Sequence, residues 1–147
     1  MAGRCAVKLK LSSQPNHIEP VVADGSPLAE QLLKARSLSR SWIETRMIDA
    51  LWGERNRLTG LGIQVRGQFR IGRWEADLFL QRPLLRGKPI LVVECDGEEF
   101  HKPARDLVRD AAMRGMGYTV RRFTGKRIYH EAEQCAAEIV DWLVAQK

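Results

Sequence analysis

Ile90-Leu91-Val92-Val93-Glu94-Cys95-Asp96 opens as an unbroken apolar run and closes on two acids around a cysteine. A continuous run of this kind marks a strand covered on both faces, so it belongs at the centre of a sheet. Side chains alternate along a strand, which puts Glu94 and Asp96 on one face roughly 7 Å apart with Cys95 on the other. Two carboxylates therefore leave a buried strand together.

The flanking sequence supplies the rest of the sheet. Val65 to Ile71 and Trp74 to Leu80 read as strands joined by Gly72-Arg73, a dipeptide suited to a two-residue hairpin turn. Asp77 lies in the second of them, and a long hairpin through Gln81 to Pro89 would let it reach Glu94 across an antiparallel ladder. Upstream, Ser41-Trp42-Ile43-Glu44 starts a helix whose apolar residues Ile43, Met47, Ile48, Leu51, Trp52 and Leu58 recur at helical spacing. Glu44 falls near the middle of that apolar arc and is expected to face the sheet, while Ser41 and Glu44 also suit a capping box. The two readings are compatible. Downstream, Pro103 to Arg114 reads as an amphipathic helix, with Ala104, Leu107, Val108 and Ala111 on one stripe and Arg and Asp opposite. Tyr118 to Phe123 supplies a fourth strand, and His130 to Val144 a closing helix with Cys135, Ala136, Ile139, Trp142 and Leu143 inward. The expected class is α/β of the α+β kind, in the order helix, three strands, helix, strand, helix.

At 147 residues the chain has the size of one domain. Residues 1–40 read as an N-terminal extension with a short helix opened by Ser26-Pro27, and residues 41–147 as the main domain. Cys5, Cys95 and Cys135 have no metal-knuckle spacing and fit a reducing cytoplasm. No apolar run approaches the roughly 20 residues that span a bilayer, so neither a membrane nor secretion is expected. The net charge of +6 and pI near 9.6 favour a polyanionic partner. Between Lys102 and Arg127 eight basic residues, among them Lys102, Arg105, Arg109, Arg121, Arg122 and Lys126, stand against Asp106 and Asp110. A phosphate-tracking surface for nucleic acid is expected there, and no small-molecule substrate.

Clustered acids at the end of a buried strand repel one another unless a cation lies between them, and hard oxygen donors suit Mg²⁺ or Mn²⁺. His101 follows a glycine turn that would return its imidazole toward the carboxylates. The bland alternatives are a solvated strand end, a turn role for Asp96 and a surface histidine.

The ordered set of a helix Glu, the hairpin Q-F-R-I-G-R-W-E-A-D-L-F, the strand V-V-E-C-D-G-x-x-x-H and G-Y-T-V-R-R-F-T-G-K-R-I-Y resembles the PD-(D/E)XK nuclease superfamily, most closely its Vsr-like endonuclease domains. The resemblance implies a restriction-endonuclease-like αβββαβα core with a central mixed four-stranded sheet. It implies a divalent cation, Mg²⁺ or Mn²⁺, held by Asp77, Glu94 and the backbone carbonyl of Cys95, with Glu44 completing the site. It implies a DNA endonuclease that nicks or cuts in repair or restriction, with Asp96 or His101 orienting the attacking water. The chain departs from the superfamily pattern where Asp96 replaces the lysine that usually follows the Glu by two. The very-short-patch mismatch-nicking enzymes carry histidines where Asp96 and His101 match, so His101, Lys102 or a second metal is expected in the lysine's place. Gln68, ahead of Asp77 in the hairpin, is a further candidate. The competing expectation is a DNA-binding module that kept the fold and lost cleavage.

Overall fold

The computed structural model describes residues 17–96 and 103–147. Three helices, α1 (Pro27–Leu38), α2 (Trp42–Trp52) and the short α3 (Arg55–Gly60), precede the hairpin strands β1 (Gln64–Ile71) and β2 (Trp74–Gln81). Then follow β3 (Ile90–Asp96), α4 (Pro103–Gly115), β4 (Thr119–Thr124) and α5 (Gly125–Ala145). The sheet order is β1-β2-β3-β4, antiparallel except for the β3–β4 pair. That pair runs parallel because α4 carries the chain back across the sheet. This mixed four-stranded sheet flanked by helices is the expected restriction-endonuclease-like arrangement.

One sheet face packs through Val65, Leu78, Leu80, Leu91, Val93, Cys95 and Phe123 against apolar residues of α1, α2 and α5. The other, smaller core joins Ile71, Ala76, Phe79, Val92 and Val120 to Met113 of α4. Strand β3 contributes to both, as its apolar run requires. No helix among the described residues is long and apolar enough to cross a membrane.

Several elements differ from the sequence expectation. The helix read as part of an extension, α1, lies in the main core through Leu28, Ala29, Leu32 and Ala35. It crosses β1 so closely that a Cβ on Gly67 would sit 2.8 Å from the Ala35 Cα and Cβ. The helix from Ser41 splits at Gly53 and Glu54 into α2 and α3. The closing helix starts early, because the Thr124 hydroxyl accepts the Arg127 N–H at 3.1 Å, and it bends at Glu131.

Helix α4 inverts the usual logic of amphipathicity. Its apolar stripe faces out, with Leu107 68% and Val108 56% exposed, while Asp110 and Met113 are buried. The sheet supplies the reason. Glu94 and Arg122 are neighbours in the β3–β4 register, and buried charges require partners. Helix α4 meets them with Arg109, 3.6 Å from Glu94, and Asp110, 2.7 Å from Arg122.

Candidate active site

The regular hairpin breaks where the acids gather. On both sides of the break β1 and β2 pair one to one, Gly67 with Leu78 and Phe69 with Ala76, but Gln68 and Asp77 form no ladder pair. The alternation flips there: Val65 and Leu78 belong to one core, Phe69 and Ala76 to the other. Gln68 takes a φ of 46°, a left-handed conformation that costs a non-glycine residue about 1–2 kcal/mol. Such strain persists where surrounding contacts fix it.

The β2–β3 ladder likewise stops at Leu78 and Val93. Beyond it Asp77 uses its side chain, and its Oδ2 accepts the Cys95 backbone N–H at 2.8 Å. The carboxylate is thereby tied to the strand that carries Glu94, itself only 2% exposed. From the other side, α2 brings in Glu44, 7% exposed. Its Oε2 accepts the Arg40 backbone N–H at 2.7 Å and the Gln68 side-chain amide at 2.9 Å. Ser41 Oγ caps the Glu44 N–H at 3.2 Å. Half of the expected capping box forms, and Glu44 returns to Arg40 instead of Ser41, so capping and facing the sheet coexist.

Asp77 lies close enough to Glu44 for the two carboxyls to interact. Burial above all, and then the Asp77 charge, push the Glu44 carboxyl up to about 7, against the opposing pull of the Arg40 and Gln68 hydrogen bonds. Two carboxyls that cannot both ionise cheaply are a charge conflict that a divalent cation relieves, and the oxygen-only donors suit Mg²⁺ or Mn²⁺. By that measure the residues fit a hard cation. Among the described residues no three His, Cys, Asp or Glu side chains are already gathered as a metal shell. The arrangement is instead a carboxyl pair, Glu44 and Asp77, beside an ion pair, Glu94 and Arg109.

The other residues singled out from the sequence distribute unevenly. His101 and Lys102 lie outside the described residues, as does the side chain of Asp96. Arg105, Arg121 and Lys126 are exposed. Arg122 is engaged by Asp110 through two hydrogen bonds, at 2.7 and 3.2 Å, and so braces α4 against β4. Arg109 does not project from the surface but points its charge at Glu94. The basic segment also has a counterpart that composition hid: Lys34, Arg66 and Arg70 line a cleft of about 470 Å³ along β1, which reaches Gln68. Nothing local in the sequence connects Lys34 with Arg66; the crossing of α1 over Gly67 brings them together.

The family model REase_MTES_1575 matches residues 55–143. The chain belongs to this restriction-endonuclease-like family. The matched span of the REase_MTES_1575 domain holds Asp77, Glu94, Cys95 and Arg109, whereas Glu44 precedes it. A Haemophilus influenzae protein described as uncharacterized is 28% identical over 113 residues, which cover 75% of this chain and 88% of the relative.

Proposed function

We propose that this protein is a metal-dependent DNA endonuclease that hydrolyses phosphodiester bonds. Asp77, Glu94 and the Cys95 carbonyl would hold Mg²⁺ or Mn²⁺, with Glu44 completing the site. The supporting observation is the convergence of one carboxylate, Asp77, on both the Cys95 amide of β3 and the buried Glu44 of α2. A divalent cation supplies Lewis acidity there, polarising phosphate and water oxygens. Glu44 exchanges a proton near neutral pH, a property suited to handling the proton of an attacking water. Gln68 and the Arg40 amide orient Glu44 for that task. Asp96 and His101 remain the candidates for orienting the water itself, and Arg105, Arg121 and Lys126 for holding DNA phosphates. Family membership in the REase_MTES_1575 group supports the nuclease class.

The test is incubation of the protein with single-stranded, duplex, mismatched and branched DNA in Mg²⁺ or Mn²⁺, beside Asp77→Ala and Glu94→Ala. Cleavage by the unmodified protein that falls at least 100-fold in both variants is expected. Equal digestion by the variants assigns the activity to a contaminant and removes the reading.

A second reading, a DNA-binding module that no longer cleaves, is favoured by Asp96 in the place of the superfamily's lysine. It requires DNA binding that survives Asp77→Ala and no cleavage by any form of the protein.

A further inference from the structure

The acids of the site outnumber its cations, and the transition state of phosphodiester hydrolysis adds negative charge. Strand β3 offers no basic side chain after Glu94, since Cys95 and Asp96 follow it. The positive charge arrives from another element. Arg109, in the middle of α4, brings its Nη2 to 3.6 Å from Glu94 Oε1, with the two side chains 18% and 3% exposed.

Two neighbouring ion pairs on α4 show what kind of contact this is. Asp110 and Arg122 form a two-point fork at 2.7 and 3.2 Å, the geometry of a structural brace. Arg109 and Glu94 stand beyond the 2.7–2.9 Å usual for a charge-assisted hydrogen bond. The Arg109 Nε, though buried, has no hydrogen-bond partner among the described residues. The guanidinium is thus held by charge and not locked by geometry, with a donor still to place. Arginine remains charged at any working pH, and its planar fork matches phosphate oxygens. Arg105, one helical turn earlier, is exposed, so the same helix offers a second cation along a phosphate backbone.

We propose that Arg109 is the resident cation of this site, neutralising Glu94 while the carboxylate has no divalent ion and turning to the scissile phosphate once it has one. This inference rests on the nuclease reading above. It assigns to a helix residue the charge that β3 lacks, and it makes Arg109 a competitor of the metal for Glu94.

The competition separates this role from that of a simple structural prop, because cation affinity and cleavage must move in opposite directions. Mn²⁺ binding is measured by calorimetry, and single-turnover cleavage of duplex DNA at saturating Mn²⁺, for the full chain and for Arg109→Gln and Arg109→Lys. The Gln variant keeps stem and donors without the charge; the Lys variant keeps the charge if the Gln variant does not fold. Arg109→Gln is expected to bind Mn²⁺ about 3- to 10-fold more tightly and to cleave at least 100-fold more slowly, in line with loss of one transition-state donor. Arg109→Lys is expected to bind Mn²⁺ as the unmodified protein does and to recover at least a tenth of its rate. Unchanged or weaker Mn²⁺ binding by Arg109→Gln overturns the proposal, as does an unchanged cleavage rate or a Lys variant as slow as the Gln variant. Should the unmodified protein bind Mn²⁺ without cleaving any DNA, the nuclease reading fails. The Mn²⁺ titration then still decides whether Arg109 competes for Glu94.

Discussion

Glu44 carries a proton that most surface carboxyls lose well below neutral pH. Its folded pKa, about 7, stands above the ordinary value of 4.5, so between those values the folded state binds more protons than the unfolded chain. Stability from this group is therefore full below about pH 4.5, falls as pH rises and is lost above about 7. The full difference corresponds to about 3 kcal/mol, which solvent screening reduces to on the order of 2 kcal/mol. Glu44→Gln removes it, because a Gln carbonyl can accept the Arg40 and Gln68 donors while its amide donates to Asp77. Urea unfolding without divalent ions should show the Gln variant gaining about 1–2 kcal/mol on the unmodified protein between pH 4.5 and 8. A difference that does not move with pH would mean that folding leaves the Glu44 carboxyl at its ordinary value. Gln68 offers a second comparison at a single position. Glycine there relieves the left-handed backbone but loses the donor, whereas alanine loses the donor and keeps the strain. Gln68→Gly should be about 1 kcal/mol more stable than Gln68→Ala.

Helices α1 and α4 dock on the sheet by opposite means. Helix α1 relies on close approach, Ala35 against Gly67, with backbone on both sides. Gly67→Ala must move the helix or the edge strand, and chemical denaturation should report a loss of about 1–3 kcal/mol. An unchanged midpoint would show that the α1–β1 contact yields at no cost. Helix α4 relies on charge. Asp110→Ala leaves the Arg122 guanidinium without its two-point partner and should cost about 2 kcal/mol. The loss should be reduced in an Arg122→Met background, where the two hydrogen bonds are already absent. Equal losses in both backgrounds would make the pair incidental. Leu107 and Val108 can face outward because this docking does not need them.

For the chain as a unit, the stretch from Lys102 to Arg127 by itself carries a net +6, equal to that of the whole chain, yet exposed basic side chains stand at both edges of the sheet. Lys34, Arg66 and Arg70 gather along β1, while Arg121 and Lys126 lie exposed on and beside β4, at the opposite edge. Each phosphate contact that is removed lowers the salt dependence of DNA binding by about 0.9 in log–log slope. If the cleft along β1 carries substrate toward Gln68, the triple neutralisation of Lys34, Arg66 and Arg70 to Gln should reduce that slope by about 2–3. Fluorescence anisotropy with duplex DNA across a salt series measures it. An unchanged slope assigns the phosphate contacts elsewhere, with Arg121 and Lys126 next to be tested.

Much of this architecture is written locally. The apolar run Ile90 to Val93 places β3 at the centre, Gly72-Arg73 closes the hairpin, and the spacing from Ile43 to Leu51 turns Glu44 inward, since periodicity follows from backbone geometry alone. The acids Asp77 and Glu94 are legible in the same way, as charges in strands that burial would otherwise forbid. What depends on the packed molecule is pairing between distant segments. No pattern in Pro103–Gly115 reveals that its polar face turns inward, because that choice follows from Glu94 and Arg122, which become neighbours only when β3 and β4 pair beneath the helix. The left-handed Gln68, the raised carboxyl of Glu44 and the approach of Arg109 to Glu94 are of the same kind. Each depends on desolvated charges meeting across elements, and electrostatic energy is set by separation in space and by burial, neither of which a linear sequence contains.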